Sequence, residues 1–524
     1  MSPVNLCYNS SCRRTICLRI GDFVKQISFP FYRKIASEKR AISPVPGSFS
    51  HDGVCDETER LNLERVYRGI IEETNRFSRK IVSFQANKTR LLHGWIKYRE
   101  GFSAELVEIL LEEFGIGPGQ TVLDPFAGSC TTLLVAKMMG VNSVGVELLP
   151  HCHLAWEAKS RVFEYDVEEL RAIRTMVAQT EPPPPERDFP HLEITKSAFP
   201  PSNERDVMAY LHFFETLDIS PEAKILSKAL LMSVLEEVSF TRKDGQYLRW
   251  DARAEKIIQR NKIRIAQGKK PITGIFKGRI PGVRQVLLGK FDQVISDIVS
   301  LQKHPPPPSQ HRLVKGNVLY TLPGFAADSF DGVITSPPYA NRYDYTRTYA
   351  LELAFLAIGE GIFKTRQEML SCTVENKPKL KTLKEFYASI GQMTRYEKVL
   401  AISRDNAALR EVEIALRRRD ERGDINNRGI LSMIVQYFSE LTFVFYEIYR
   451  VCKPGAYVAV VNDNVRYAGE VIPVDLISTN LAEQIGFVPE KVYVLPQRKG
   501  NSSQQMGKFG RRSLRKSITI WRKP

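Results

Sequence analysis

The run Thr335-Ser-Pro-Pro-Tyr339 follows directly on an apolar stretch, Gly332-Val-Ile-Thr335. Two consecutive prolines restrict the backbone on both sides, so the carbonyls there point in set directions. The Ser336 side chain and the Pro337 carbonyl can then both accept from one –NH₂ group, with Pro338 keeping the turn rigid. Tyr339 supplies a ring on which a base, once out of its stack, can lie.

A second run, Asp124-Pro-Phe-Ala-Gly-Ser-Cys-Thr-Thr132, places a carboxylate at the end of the strand-like Thr121–Asp124, then small residues, then a helix start. That order lets main chain approach a ligand at the upper edge of a sheet. Glu147 ends the next strand-like stretch, Ser143–Glu147, where an acid can accept from ribose hydroxyls. Together they point to an adenosine-containing cofactor. The alternative is a tight turn beside a solvated acid.

The elements around these runs alternate. Ser103–Phe114 is amphipathic at helical spacing, Gly115 to Gly119 ends it, and Thr121–Asp124, a helix from Thr131 to Gly140 and Ser143–Glu147 make a βαβ unit. Further strands are predicted at Arg312–Lys315, Gly332–Thr335, Ala456–Val461, Lys491–Leu495 and Ser517–Trp521, with helices at Leu431–Val451 and Val474–Ile485. Strands alternating with helices imply an open, mostly parallel sheet covered on both faces. Proline runs at 182–185 and 305–308 mark borders. Between them lies a helical-looking segment with a basic stretch from Arg249 to Arg284, which includes Arg260, Lys262, Arg264, Lys269 and Lys270.

With 524 residues, 43% hydrophobic and 26% charged, the chain has the composition of a multidomain globular protein. No stretch approaches the roughly 20 uninterrupted apolar residues of a membrane helix. A net charge of +16 suits a polyanionic partner. The eight cysteines are scattered. Cys7, Cys12 and Cys17 have no His or CxxC pair to complete a zinc site, so we expect no metal, reduced thiols and a cytoplasmic protein. The first fifty residues are rich in Arg, Lys and Ser without a signal-peptide core, and read as a loosely held extension.

The two runs resemble the signatures of the amino-methyltransferases of DNA: an Asp-Pro-Phe-x-Gly-x-Gly-Thr cofactor loop and a catalytic (Ser/Asp/Asn)-Pro-Pro-Tyr tetrad. The segment His93–Ser103 resembles the family's stretch before the cofactor loop, Val314-Lys-Gly-Asn317 its third-strand motif, and Tyr449–Gly455 the approach to its later core strands. The likeness spans about Phe84 to Lys159 and Arg312 to the C-terminus, less residues 359–429. It implies an α/β, Rossmann-like class I methyltransferase core over 81–181, 309–358 and 430–524. To this core are added an extension at 1–80, partly disordered, and two largely helical insertions, 186–304 and 359–429, either of which could read a target.

The resemblance further implies S-adenosyl-L-methionine as cofactor, held by Phe102, Ser103, Asp124, Pro125, Phe126, Ala127, Gly128, Thr131, Glu147 and Asn317. Ser336, Pro337, Pro338 and Tyr339 would be catalytic. Cys130 stands where the family has its second glycine, and Asn317 where it has an acid. The cofactor half precedes the tetrad, so the core is not circularly permuted. Serine in the tetrad is the form most associated with cytosine N4, and aspartate with adenine N6. The implied partners are double-stranded DNA and a cognate restriction enzyme. No cysteine nucleophile is needed, because the amine itself attacks. Two other readings stay open: an RNA base methyltransferase, and a non-catalytic cofactor-binding scaffold that grips nucleic acid.

Overall fold

The computed structural model describes residues 16–20, 23–27, 48–74, 76–78, 80–244, 248–495, 509–510 and 512–524. The chain divides into two units, residues 1–40 and 41–524. In the first, Ile16–Ile20 and Phe23–Ile27 pair as an antiparallel hairpin. The expected disorder of the extension falls, before residue 48, largely on residues outside the described ones, as do Cys7 and Cys12.

The second unit is built on one sheet. Its strands are β1 (Ile71–Glu73), β2 (Thr121–Asp124), β3 (Asn142–Glu147), β4 (His311–Lys315), β5 (Phe330–Thr335), β6 (Cys452–Asp463), β7 (Val488–Val494) and β8 (Lys516–Arg522). Their spatial order is β1-β7-β8-β6-β5-β2-β3-β4. The run β6-β5-β2-β3-β4 is parallel throughout, and β8 lies antiparallel between β6 and β7. This is the mostly parallel, Rossmann-like α/β sheet that the resemblance implied. β1 was not expected in it: a three-residue strand is too short to show a period, and it joins by pairing with Val492–Val494. It follows directly on α1 (Thr58–Val66) and a single 3₁₀ turn.

Period-2 alternation places successive residues on opposite faces. Val122, Ile334, Ala459 and Val461 pack on the face covered by α2 (Ala104–Glu113) and α3 (Thr131–Met138). A second helical layer, α4 (Pro150–Ser160), α5 (Val167–Gln179), α6 (Pro201–Thr216), α7 (Pro221–Val234), α8 (Glu255–Ala266) and α9 (Val283–Gln302), belongs mostly to the first insertion and closes a separate core. In it only α8 stands apart, with Ile257 as its one buried residue. Asp297 of α9 reaches back to the segment before α2, accepting from Leu92 N–H (3.2 Å) and Trp95 Nε1–H (2.8 Å).

The other sheet face carries Leu123, Val333, Val458 and Val460. Over it lie α10 (Leu380–Ser389), α11 (Met393–Asp405), α12 (Ala407–Glu421), α13 (Gly429–Val451) and α14 (Val474–Ile485). Residues 359–429 thus fold as part of the layer around α13. By length and composition α13 could cross a membrane, but most of it is buried inside the protein as a core helix.

A buried ionic network stitches this layer to the N-terminal segment. Arg60 of α1 pairs with Glu411 (2.7 Å) and Glu470 (3.1 Å), and Arg419 of α12 pairs with Glu470 (2.7 Å) and Asp424 (3.2 Å). Glu470 therefore answers two buried guanidinium groups. Glu470→Ala should cost about 3–5 kcal/mol, because breaking a buried pair strands the remaining charge. Urea denaturation of the two proteins measures this, and a loss under about 1 kcal/mol would show that the arginines find other partners.

Candidate active site

Between β2 and β5 the chain reverses its order of strand addition, and such a switch point opens a crevice at the carboxyl ends of the strands. The two sequence runs leave from those ends. Asp124, 1% exposed, closes the junction between them. Its Oδ1 accepts from Thr335 Oγ1 (2.7 Å) and Phe126 N–H (3.1 Å), and its Oδ2 accepts from Thr132 Oγ1 (2.7 Å). Burial pushes its carboxyl up to about 6, against the pull of these three donors. The sequence proposes Asp124 as a cofactor contact. In the structure it lines the cleft, while its own hydrogen bonds run to the loop, to α3 and to the strand that carries the tetrad and so also anchor the loop.

Above it the main chain turns tightly. Gly128 has φ +51°, and a Cβ there would stand 2.9 Å from the Tyr98 ring. Its N–H donates to Glu147 Oε2 (2.7 Å), while Leu148 and Leu149 N–H donate to Oε1 (2.8 Å each). Burial nevertheless raises the Glu147 carboxyl to about 7. Cys130 caps α3 at φ +63°, a conformation that costs a side chain roughly 1–2 kcal/mol and explains the glycine usual there. It is fully buried, and burial pushes its thiol well up.

Across the cleft, Asn317 caps the turn Val318–Thr321, its Oδ1 accepting from Leu319 N–H (3.0 Å). Its Nδ2 is buried with no hydrogen-bond partner among the described residues. An acid here would present only acceptors; the amide, its oxygen committed, presents a donor. Phe102, Pro125, Phe126, Ala127, Thr131, Ser336 and Pro338 line the same cleft. Ser103 lies outside it, buried, with its Oγ capping α2 by accepting from Leu106 N–H (3.2 Å).

Pro337 and Tyr339 stand just beyond this lining. Ser336 Oγ has one proton and two acceptors for it, the Val461 carbonyl (3.1 Å) and the Tyr339 hydroxyl (3.2 Å). The carbonyl cannot donate, so the serine gives up its proton to the protein and keeps lone-pair capacity for an incoming amine. Lys516 Nζ donates to the Tyr339 hydroxyl (3.4 Å), lies 5.2 Å from its ring centre and pairs with Asp463 (3.4 Å).

Several of these residues carry no signal in the sequence. Lys516 is 177 positions from Tyr339, and the Val461 carbonyl is main chain. Glu100, on the cleft, accepts from both Tyr343 and Tyr349 hydroxyls and so ties the segment before the cofactor loop to the one after the tetrad. The ring of Tyr98 stacks on that of Tyr349 at 5.2 Å. Among the described residues no group of His, Cys, Asp and Glu could hold a metal ion.

A protein-family model described as DNA methylase matches residues 59–157, from α1 into α4, the stretch that holds the Asp124–Thr132 run and Glu147. The type II methyltransferase M.BsoBI of Geobacillus stearothermophilus is 54% identical over 479 residues, which cover 91% of this chain and 94% of that protein. The type II methyltransferase M.AvaI of Nostoc sp. is 39% identical over 480 residues, 90% and 95% of the two chains. The chain belongs to the amino-methyltransferases of DNA. The likeness to these relatives runs through both insertions, so the methyltransferase shares its whole plan with them and not the core alone.

Two expectations follow from the site. Glu147 titrates near 7 when folded, against an ordinary 4.5, so the folded methyltransferase without cofactor keeps a proton that the unfolded chain has lost. Stability from this group is present below about pH 4.5 and is lost as pH rises to about 7. Thermal melts from pH 5 to 8 should show a smaller fall in Glu147→Gln, and an identical pH slope would show Glu147 ionised throughout. Thr335→Val deprives buried Asp124 of a donor and should cost about 1–3 kcal/mol in urea denaturation. A neutral result would mean that Asp124 anchors the loop without the catalytic strand.

Proposed function

We propose that this methyltransferase moves the methyl group of S-adenosyl-L-methionine to the exocyclic N4 of a cytosine at a specific site in duplex DNA. The observation that carries this reading is the committed proton of Ser336. It leaves a neutral acceptor at the mouth of a cleft whose opposite walls suit an adenosine. Serine at this position is the tetrad form associated with cytosine, while adenine N6 offers the same –NH₂ geometry and is the reading the test must separate.

The residues present fit the cofactor. Glu147 lines the cleft, and its Oε2, with one N–H donor, keeps acceptor capacity for a ribose hydroxyl, while the Asn317 Nδ2, unpartnered among the described residues, suits a ring nitrogen of adenine. Gly128 permits close approach of the main chain. When bound, the cofactor supplies an electrophilic methyl on sulfur. Ser336 Oγ and the Pro337 carbonyl accept from the target amine and turn its lone pair toward that methyl. Positive charge growing on nitrogen is stabilised by those same acceptors, which the fold holds in place beforehand. Tyr339, its hydroxyl held by Ser336 and Lys516, presents its ring to the displaced base.

The names of the relatives, both type II methyltransferases, support a restriction–modification setting, and a cytoplasmic place with a cognate endonuclease cutting the unmodified site completes the proposal. The test is transfer of labelled methyl from S-adenosylmethionine to duplex DNA, with nucleosides resolved afterwards. Label in N4-methylcytosine, lost in Tyr339→Ala and reduced roughly 10²–10³-fold in kcat by Ser336→Ala, is the expected result. Label in N6-methyladenine overturns the choice of base. Label on RNA alone overturns the choice of nucleic acid.

A further inference from the structure

The part of the first insertion around α8 is braced as a rigid arm. Thr241–Lys243 and Leu248–Trp250 pair as a hairpin. Asp251, fully buried, bridges Ile275 and accepts from the Arg253 guanidinium (2.8 and 2.9 Å) and from Lys277 N–H (2.8 Å). A Cβ on Gly274 would lie 2.6 Å from the Ala252 nitrogen, so the returning chain is pressed against the root. Farther out, the Asn261 amide donates to Ile272 O (3.1 Å) and accepts from its N–H (2.6 Å), holding the return to α8.

This brace supports very little core. Surface helices normally bury an apolar stripe, yet α8 buries Ile257 alone. Ile263, Ile265 and Phe276 are 59%, 62% and 73% exposed. Arg260, Lys262, Lys269 and Lys270 are exposed beside them. The two acids between residues 249 and 284 are engaged elsewhere, Asp251 with Arg253 and Glu255 with the Gln259 amide. None of the four cations forms an ion pair among the described residues. Residues 359–429 make the opposite choice and turn Leu383, Tyr387, Val399 and Leu416 into the core over α13.

The root of the arm adjoins the catalytic cleft. Lys243 Nζ pairs with Glu352 and lies 4.7 Å from the ring centre of Tyr349, whose stacking partner Tyr98 lines the cofactor cleft. We propose that the arm, from α8 through Phe276, is the surface that grips the DNA duplex. Arg260, Lys262, Lys269 and Lys270 meet phosphates, and the apolar side chains lie against sugars and base edges. A twelve-residue helix is about 18 Å long and has the girth the major groove admits. The excess of positive charge selects a polyanion, and this inference rests on the reading of the protein as one that acts on DNA.

The test compares the full-length protein with the variant Arg260→Ala/Lys262→Ala/Lys269→Ala/Lys270→Ala, and with Lys381→Ala/Lys384→Ala in the exposed face of the second insertion. Duplex binding is followed by fluorescence anisotropy across salt concentrations. The arm variant should flatten log K against log salt by about 0.9 for each phosphate that is no longer neutralised. Its KM for duplex should rise about tenfold or more at moderate salt, while its affinity for S-adenosylhomocysteine holds. Phe276→Ala should weaken duplex binding with the salt slope unchanged. A parent that methylates duplex, with an arm variant that keeps both KM and slope, overturns the arm alone. A slope that falls in the Lys381/Lys384 variant instead moves the grip to the second insertion. A parent that neither binds nor methylates duplex, or that binds only RNA, overturns the functional reading with it.

Discussion

Asp124 sits where two loops from adjacent parallel strands would otherwise be free to move apart. Its carboxylate is out of water, and a buried carboxylate is tolerated only when its oxygens are hydrogen-bonded. The donors that satisfy it come from the cofactor loop, from the first turn of α3 and from the strand that carries the tetrad. The cost of leaving that group unpaired therefore works as a clamp. It fixes the spacing between the place where a methyl donor would lie and the place where an amine would be held.

The walls of the cleft rely on main chain more than on side chains. Three backbone N–H groups converge on Glu147, and the loop that supplies one of them needs two left-handed residues within three positions. Cysteine at the second of these is small enough to sit buried in a conformation that favours glycine, with its sulfur 3.7 Å from the Gly128 carbonyl. Asparagine at 317 follows a similar economy. One end of its amide caps a turn, as an aspartate would, and the other end is a buried donor, unpartnered among the described residues, on a residue that lines the cleft.

Much of this was legible in the sequence because it is local. β2 and α14 occupy the residues their periodicities predict, and the two motifs mark the ends of β2 and β5. What could not be read is what depends on distant partners. Nothing near Asp124 announces Thr335, and nothing near Tyr339 announces Lys516, since the sheet brings together residues 211 and 177 positions apart. Ser103 carries a motif yet serves as a helix cap, a role any serine before an apolar periodic run can fill. The three residues of β1 are too few to show alternation. The polar look of residues 359–429 conceals one buried face on each of its longer helices, which only the packing against α13 reveals.

The position of β8 has a bearing on how the protein is made. This strand follows every other strand of the sheet along the chain, yet it inserts between β6 and β7, and its first residue supports the tetrad tyrosine. Until it arrives, β6 and β7 each lack a neighbour, and the central sheet cannot close. A nascent chain that stops short of β8 would hold the cofactor loop and the tetrad but no finished sheet. Closure of the sheet must therefore wait until β8 itself has left the ribosome. That places this fold among those with slow, long-range closure and a premium on protecting unpaired strand edges during synthesis.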